Sequence, residues 1–248
     1  MGLTFRQLFE FKSCTFTYIL GCSETKEAVI IDPVIEMVDR DERIIKELGL
    51  KLLYGANTHV HADHVTGTGE LKKRFPDMQS VLGDEARPAK ADIFIPHKGV
   101  LKFGKEELEV RHTPGHTNGC ATFVSHAHRF AMTGDALLIR GCGRTDFQQG
   151  DARMLHKSIH ENILDMPDDY AIYPAHNYAG IMSSTVGEEK QHNHRITKGV
   201  DDFVELMDSL HLQYPAQIDK SLPANMVDGE VELMDEKTRW LVMGTRKK

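Results

Sequence analysis

The chain has 248 residues, with 40% hydrophobic and 7% aromatic residues and a formal net charge of −7. That composition suits a globular protein with a sizeable core, and no apolar run approaches the length of a membrane span. The acidic balance, with a pI near 6.0, argues against a polyanion-binding surface, so neither membrane nor nucleic acid is an expected partner.

Short apolar runs alternate with amphipathic ones along the chain. Thr15–Leu20 and Ala28–Ile31, rich in β-branched and aromatic residues, read as a hairpin. Asp41 to Leu48 places Ile44, Ile45 and Leu48 on one helical face and stops at Gly49. Leu52-Leu53-Tyr54 reads as a buried strand, and a helix is expected from Asp63 to Phe75, stopped by Pro76. Val100–Phe103, Leu108–Val110, Ala121–Val124 and Phe130–Thr133 read as four further strands. Met154 to Ile163 is helical, with Leu155, Ile159 and Ile163 at i, i+4, i+8. Tyr170–Tyr173 reads as a last strand and Phe203–Leu210 as another helix. With no linker or internal repeat, the pattern predicts one α/β domain over residues 1–248, and no chemistry is legible after Asp219.

Between the strand at Leu52–Tyr54 and the expected helix lies Asn57-Thr58-His59-Val60-His61-Ala62-Asp63-His64. In an extended segment alternate side chains face the same way, so His59 and His61 can point at one object, while Asp63 and His64 reach it from the start of the helix. Imidazole and carboxylate are ligands of Zn, Fe and Mn, so the stretch predicts a metal site. Other strand ends supply matching groups: His116 after the Pro114-Gly115 turn, Asp135 after Thr133-Gly134, and His176 after Pro174-Ala175. His112 lies before its turn and reads as ordinary strand or loop. The seven candidates are therefore His59, His61, Asp63, His64, His116, Asp135 and His176.

The order H-x-H-x-D-H, followed at long intervals by His, Asp and His, resembles the metallo-β-lactamase superfamily over roughly residues 14 to 178. The resemblance implies an α/β four-layer αββα sandwich with the metal at one edge of two packed sheets, and a C-terminal helical extension over about 179–248. It does not fix the reaction, since the superfamily includes two-zinc hydrolases, flavodiiron proteins and mononuclear iron oxygenases.

Past Asp135, the stretch Arg140-Gly141-Cys142-Gly143-Arg144-Thr145-Asp146 sets two arginines among glycines. An arginine fork there can hold an anionic substrate group beside the metal, or be tied down by Asp146 or Asp151. Arg144 reads as a ligand contact, and Arg140 fits either role. This loop, with Arg6–Glu10, Thr58–Gly67, Thr113–Gly119 and Pro223–Met226, closely resembles the persulfide dioxygenases over nearly the whole chain. The resemblance implies oxidation of glutathione persulfide by O₂ and water to sulfite and glutathione in sulfide detoxification. It also implies one Fe(II) per chain, held by His59, His116 and Asp135, with three cis positions open for persulfide sulfur and O₂.

On that resemblance His61, Asp63, His64, His176 and Asn177 orient ligands, fix tautomers and hold water rather than bind iron. Arg144, Tyr178 and Arg195 become the residues expected to bind the carboxylates and ammonium of glutathione. Asn177 stands where the family commonly has Asp, a departure expected to weaken an orienting interaction near the iron. Cys142 can be read as a persulfide carrier or as a bystander. The nearest rival is a two-zinc glyoxalase II-type thioester hydrolase using all seven ligands; a non-catalytic metal-binding or redox-sensing module is the rival from another class.

Cys14, Cys22, Cys120 and Cys142 form no C-x-x-C pair and read as reduced thiols of an intracellular protein. The N-terminal residues have neither a secretory nor an Arg/Ser-rich targeting pattern. The expected compartment is cytoplasmic, or the mitochondrial matrix in a eukaryote with the targeting peptide outside this chain. Monomer and homodimer are both open.

Overall fold

In the computed structural model, which describes residues 2–246, two six-stranded mixed sheets pack face to face. The first contains β1 (Leu3–Glu10), β2 (Thr15–Cys22), β3 (Glu27–Ile31), β4 (Lys51–Ala56), β5 (Gln79–Gly83) and β6 (Ile93–Ile95), in that spatial order. The second runs, in spatial order, β12 (Ser184–Thr185), β11 (Ala171–Pro174), β10 (Phe130–Gly134), β9 (Ala121–Ser125), β8 (Glu106–His112) and β7 (Gly99–Phe103). Alternation along β2 sends Phe16, Tyr18 and Leu20 between the sheets, where they meet Phe103, Val110, Phe123 and Met132. Each such side chain taken from water contributes roughly 1.5–3 kcal/mol.

The intervening positions are apolar too, because each sheet is covered on its outer face. Ile19, Ala28 and Ile30 pack with residues of α1 (Val38–Glu47) and α2 (Thr68–Arg74), including Ile45 and Leu71. Val124 and Ala131 pack under α3 (Ala152–Asn162), α4 (Val186–His192) and α5 (Val200–Asp208), through Leu155, Ile159, Val186 and Phe203. The order helix, sheet, sheet, helix is the expected αββα sandwich. Two further helices, α6 (Ile218–Asn225) and α7 (Glu236–Arg246), join Ile35 and Val65 through Ala224 and Val242.

The expected hairpin is present as the antiparallel β2–β3 pair, and the i, i+4, i+8 leucine and isoleucines bury one face of α3, whose N-cap is Asp151 accepting from Met154 N. Strands β3, β4 and β5 are mutually parallel, as are β10 and β11. Their C-terminal ends therefore emerge at common edges, and residues 32, 57, 135 and 175 all begin connections there.

Two expectations need correction. The helix after the histidine stretch starts at Thr68, not at Asp63. The carbonyls of His61 and His64, which a helix would bond to amides four residues on, accept from Asn225 Nδ2 at 2.8 Å each, while Thr66 N donates to Asn225 Oδ1 at 2.8 Å. A side chain from α6 thus holds the segment out of helix, so the residues beyond Asp219 do bear on the site. Tyr170–Tyr173 is not the last strand either, since β12 pairs antiparallel with β11. Strands β1, β5 and β6 were not anticipated, whereas α4, α6 and α7 fall within the expected C-terminal helical extension, which did not give their bounds.

Candidate metal centre

At the common edge, ligand-capable atoms of His59, His116 and Asp135 all lie within 4.8 Å of one another, and those of His61, Asp63 and His176 form a second such group. His59 and His61 therefore serve neighbouring groups rather than one, although their rings stand only 4.1 Å apart. The segment is irregular rather than extended, which is why simple alternation does not hold there.

Hydrogen bonds determine which ring nitrogens face inward. Asp32, at the C-terminal end of β3, is fully buried and accepts from Thr58 N at 2.7 Å, Thr58 Oγ1 at 2.9 Å and His61 Nε2 at 3.0 Å. Having given its proton to a carboxylate, the Thr58 hydroxyl can only accept from His59 Nδ1, at 3.0 Å. His59 is thus protonated at Nδ1 and keeps a bare Nε2. His116 Nδ1 lies 2.7 Å from the backbone carbonyl of Arg144, an acceptor only, and its Nε2 is 3.6 Å from Asp135 Oδ2. Orienting the far nitrogen in this way is how a protein prepares an imidazole ligand. Burial, reinforced by neighbouring histidine charges, pushes the His59 and His61 pKa values well below the ordinary range, so both rings are neutral, the form that binds metal.

The second group is equally tied. His64 Nδ1 contacts Asp63 Oδ2 at 2.9 Å; His176 Nε2 lies 3.4 Å from the same oxygen and 3.7 Å from Asp135 Oδ1. Burial opposes ionisation of Asp63, but the His176 charge and the hydrogen bonds from His176 and His64 outweigh it and hold its carboxyl well below the usual range. Three buried atoms here, His61 Nδ1, His64 Nε2 and Asp135 Oδ1, have no hydrogen-bond partner. Unpaired acceptors gathered at one spot suit a cation or a bound water, not a packed core. The donor set of two imidazoles and one carboxylate with open positions fits a divalent transition metal, Fe(II) included.

Close packing sets the geometry. Gly134 has φ +55°, and a Cβ there would lie 2.7 Å from the Thr58 side chain. At Gly143 a Cβ would fall 2.4 Å from the Asp135 carbonyl oxygen and 2.9 Å from the His116 ring. The glycines of this loop therefore allow it to lie against two candidate ligands.

The remaining expected residues have definite places. Arg140 Nη1 is 2.6 Å from Glu189 Oε1 and its backbone N 2.9 Å from Oε2, with Glu189 wholly buried, so Arg140 holds the fold. The Arg144 guanidinium makes a forked contact with Asp146, 2.7 Å on both arms, donates to Gln213 O at 2.9 Å and lies over Phe147. Arg144 and Asp146 line a cavity of about 280 Å³ with Met207, Leu210 and His211. Arg195 Nη1 donates to Cys142 O at 3.1 Å. Tyr178, 75% exposed, lies parallel to His176 at 6.2 Å. Asn177 Oδ1 accepts from the amides of Ala179 and Ile181 at 2.9 and 2.8 Å, holding the loop that carries Tyr178.

Cys142 is buried, and burial raises its thiol pKa to about 11, which leaves it a bystander rather than a thiolate carrier. His112 ends β8 and donates from Nε2 to Ile95 O at 3.0 Å, away from both groups. A larger cleft of about 1010 Å³ lies behind the His116 loop, lined by Val60, His112, Thr117 and Lys157 among others, and none of the seven candidate ligands lines it.

Sequence reasoning missed Asp32 and Asn225. Asp32 had the same signal as Asp135, a carboxylate directly after an apolar strand. Asn225 lies in the Pro223–Met226 stretch that carries the family resemblance, but nothing local to it told of a bond to a segment about 160 positions away.

The metallo-beta-lactamase superfamily matches residues 14–176. The mouse protein "Persulfide dioxygenase ETHE1, mitochondrial" is 55% identical over 221 residues, 89% of this chain and 87% of its own length. Haemophilus influenzae "Hydroxyacylglutathione hydrolase GloC" is 34% identical over 68% of this chain and 87% of its own. The crystal structure of ETHE1 from Myxococcus xanthus superposes with a TM-score of 0.87 at 39% identity, covering 91% of this chain and 99% of that one. With the αββα sandwich, the histidine and aspartate edge and these relationships together, the chain belongs to the metallo-β-lactamase superfamily and, within it, to the persulfide dioxygenases.

Proposed function

We propose that this protein is a glutathione persulfide dioxygenase, converting glutathione persulfide, O₂ and water to glutathione and sulfite at one Fe(II) bound by His59, His116 and Asp135. The reading rests on one observation: a tautomer-fixed group of two histidines and one aspartate in a chain 55% identical to a named persulfide dioxygenase. The 34% identity to a hydroxyacylglutathione hydrolase is much lower.

When bound, the iron supplies redox chemistry and free coordination positions for the persulfide sulfur and O₂. Thr58 and the Arg144 carbonyl aim the two imidazoles, so little reorganisation accompanies binding. His61 and His64 stand beside the centre with bare ring nitrogens, placed to accept the persulfide proton, while Asp63 and His176, paired with each other next to Asp135, are placed to hold the water that releases sulfite. The glutathione carboxylates meet Arg144, which exchanges Asp146 for substrate, and the exposed Tyr178 hydroxyl, a hydrogen-bond donor at neutral pH. Arg195 contributes by supporting the Cys142–Arg144 loop, and Asn177 by supporting the Tyr178 loop, so its replacement of Asp acts on substrate positioning more than on iron. In a eukaryote the expected site of action is the mitochondrial matrix, as for the mitochondrial relative, and otherwise the cytoplasm.

The test is anaerobic loading with Fe(II), then O₂ uptake with glutathione persulfide and assay of sulfite. His59→Ala, His116→Ala and Asp135→Ala are each expected to lose iron and turnover. Two zincs per chain with thioester hydrolysis and no O₂ uptake would transfer the assignment to the hydrolase.

A further inference from the structure

The first hairpin carries a chain of polar side chains that runs from its turn to the metal centre. Glu10 ends β1 directly opposite Thr15 of β2 and is only 4% exposed. Its carboxylate accepts from Lys12 N at 2.8 Å and from Ser13 N and Ser13 Oγ at 2.7 Å each. With the Ser13 proton directed at Glu10, Ser13 Oγ accepts from the Thr15 hydroxyl at 2.6 Å, far closer than the 3.4 Å between Thr15 and Asp63. Thr15 Oγ1 then turns its lone pairs to His64 Nδ1 at 3.3 Å and His176 Nδ1 at 3.4 Å, as the longer arm of bonds whose shorter arms go to Asp63 Oδ2 at 2.9 Å and to the Ser13 carbonyl. The Ser13 carbonyl accepts from His176 Nδ1 as well, at 3.1 Å.

The backbone follows the same path. Thr15 bridges His176, and Phe16 N donates to Ala175 O at 2.7 Å, tying the start of β2 in one sheet to the end of β11 in the other. A turn that needed only a cap would be served by the two amide bonds to Glu10. The hydroxyl relay does something else: it points the Ser13 and Thr15 protons toward Glu10, which leaves a hydroxyl acceptor facing Nδ1 of both histidines.

We propose that Glu10 is a positioning residue of the metal centre, acting through Ser13 and Thr15 to hold His64 and His176 against Asp63 and Asp135. The inference rests on the metal-centre reading. Replacing an acceptor by an amide or deleting the Thr15 hydroxyl removes one of the contacts that orient each ring, and shifts the His176 nitrogen that stands 3.7 Å from the unpaired oxygen of Asp135. Supporting groups of this kind are typically worth about 10–100-fold in metal affinity or activity.

The experiment is competition for Co(II) between a chelator and the metal-free full-length chain, with the visible spectrum of the bound ion and the Tm recorded for each variant. Glu10→Gln and Thr15→Val should each weaken Co(II) by about tenfold and alter the spectrum, with Thr15→Ser returning to within about twofold of the parent. Thr15→Val leaves the Glu10–Ser13 turn bonds in place, so a role confined to the turn would leave its Co(II) affinity and spectrum unchanged. Parental affinity and spectrum in both variants, whatever their Tm, would overturn the proposal, as would failure of Thr15→Ser to rescue. Should Glu10→Gln fail to fold, Ser13→Ala breaks the same relay one link on, and parental binding there is equally fatal. A parent that binds no Co(II), by contrast, would refute the metal-centre reading itself.

Discussion

Asp32→Asn tests the most specific structural claim, that a carboxylate with no contact to the metal sets the tautomer of His59. The amide oxygen can take the place of Oδ1, still accepting Thr58 N and His61 Nε2 from 2.7 and 3.0 Å. The amide nitrogen then occupies the Oδ2 position, 2.9 Å from Thr58 Oγ1, and directs a proton at it. The Thr58 hydroxyl must turn and donate to His59 Nδ1, 3.0 Å away, which places the imidazole proton on Nε2, the nitrogen the metal needs. Restoring the ligating tautomer leaves two donors facing each other inside a buried site. A lost buried hydrogen bond costs about 1–3 kcal/mol, so metal affinity should fall by about 5–150-fold with little change in side-chain volume. The assay is zinc or Co(II) competition with a chelator, alongside ring ¹⁵N spectra of the metal-free chain. The parent should show His59 protonated at Nδ1 and the variant at Nε2. An Asp32→Asn chain with parental affinity and the Nδ1 tautomer would refute the reasoning.

Other substitutions probe separate parts of the molecule. Gly143→Ala puts a Cβ 2.4 Å from the Asp135 carbonyl oxygen, and because ligand distances tolerate only about 0.2 Å, metal content after purification should drop severalfold; full stoichiometry would show that the loop yields instead. Arg140→Ala leaves the buried Glu189 carboxylate without its cation, though Oε2 keeps the residue 140 amide and Asn193 Nδ2, and should lower the unfolding free energy in urea by about 3 kcal/mol while sparing metal binding, which metal analysis would check. Asp228, buried near Lys72, has its carboxyl pKa raised to about 7, chiefly by desolvation. An acid whose folded pKa exceeds its unfolded one of 3.8 loses stability as pH rises between the two values and carries the full penalty above the higher. Asp228→Asn should therefore gain stability relative to the parent from pH 4 to 8, by at most about 4 kcal/mol, and thermal melts showing no pH-dependent difference would contradict this.

Much of the site was visible before any coordinates. His59, His116, Asp135 and His176 each follow an apolar run or a tight turn, and in a layered α/β fold such junctions deliver side chains to one edge. Arg140 shows the limit of this reasoning. An arginine among glycines can bind substrate or fold, and only its contact with Glu189, 49 positions away, assigns it to the fold. Strand β5, Gln79–Gly83, escaped notice because its short run is buried and offers no alternation, whereas β2 has turn residues on both sides and enough β-branched and aromatic side chains to stand out.

The sequence by itself determined the kind of site: its histidines and aspartates, their order, and the strands that bring them together, because local spacing and side-chain chemistry are properties of the chain. Only the tertiary structure decided how those residues divide. His59 and His61, two positions apart, face different groups because Asp32 and Asn225, from distant parts of the chain, take up the polar atoms that would otherwise have made a helix or a regular strand. A buried polar group must be satisfied by whatever the fold brings beside it, and that neighbour is not written in the local sequence.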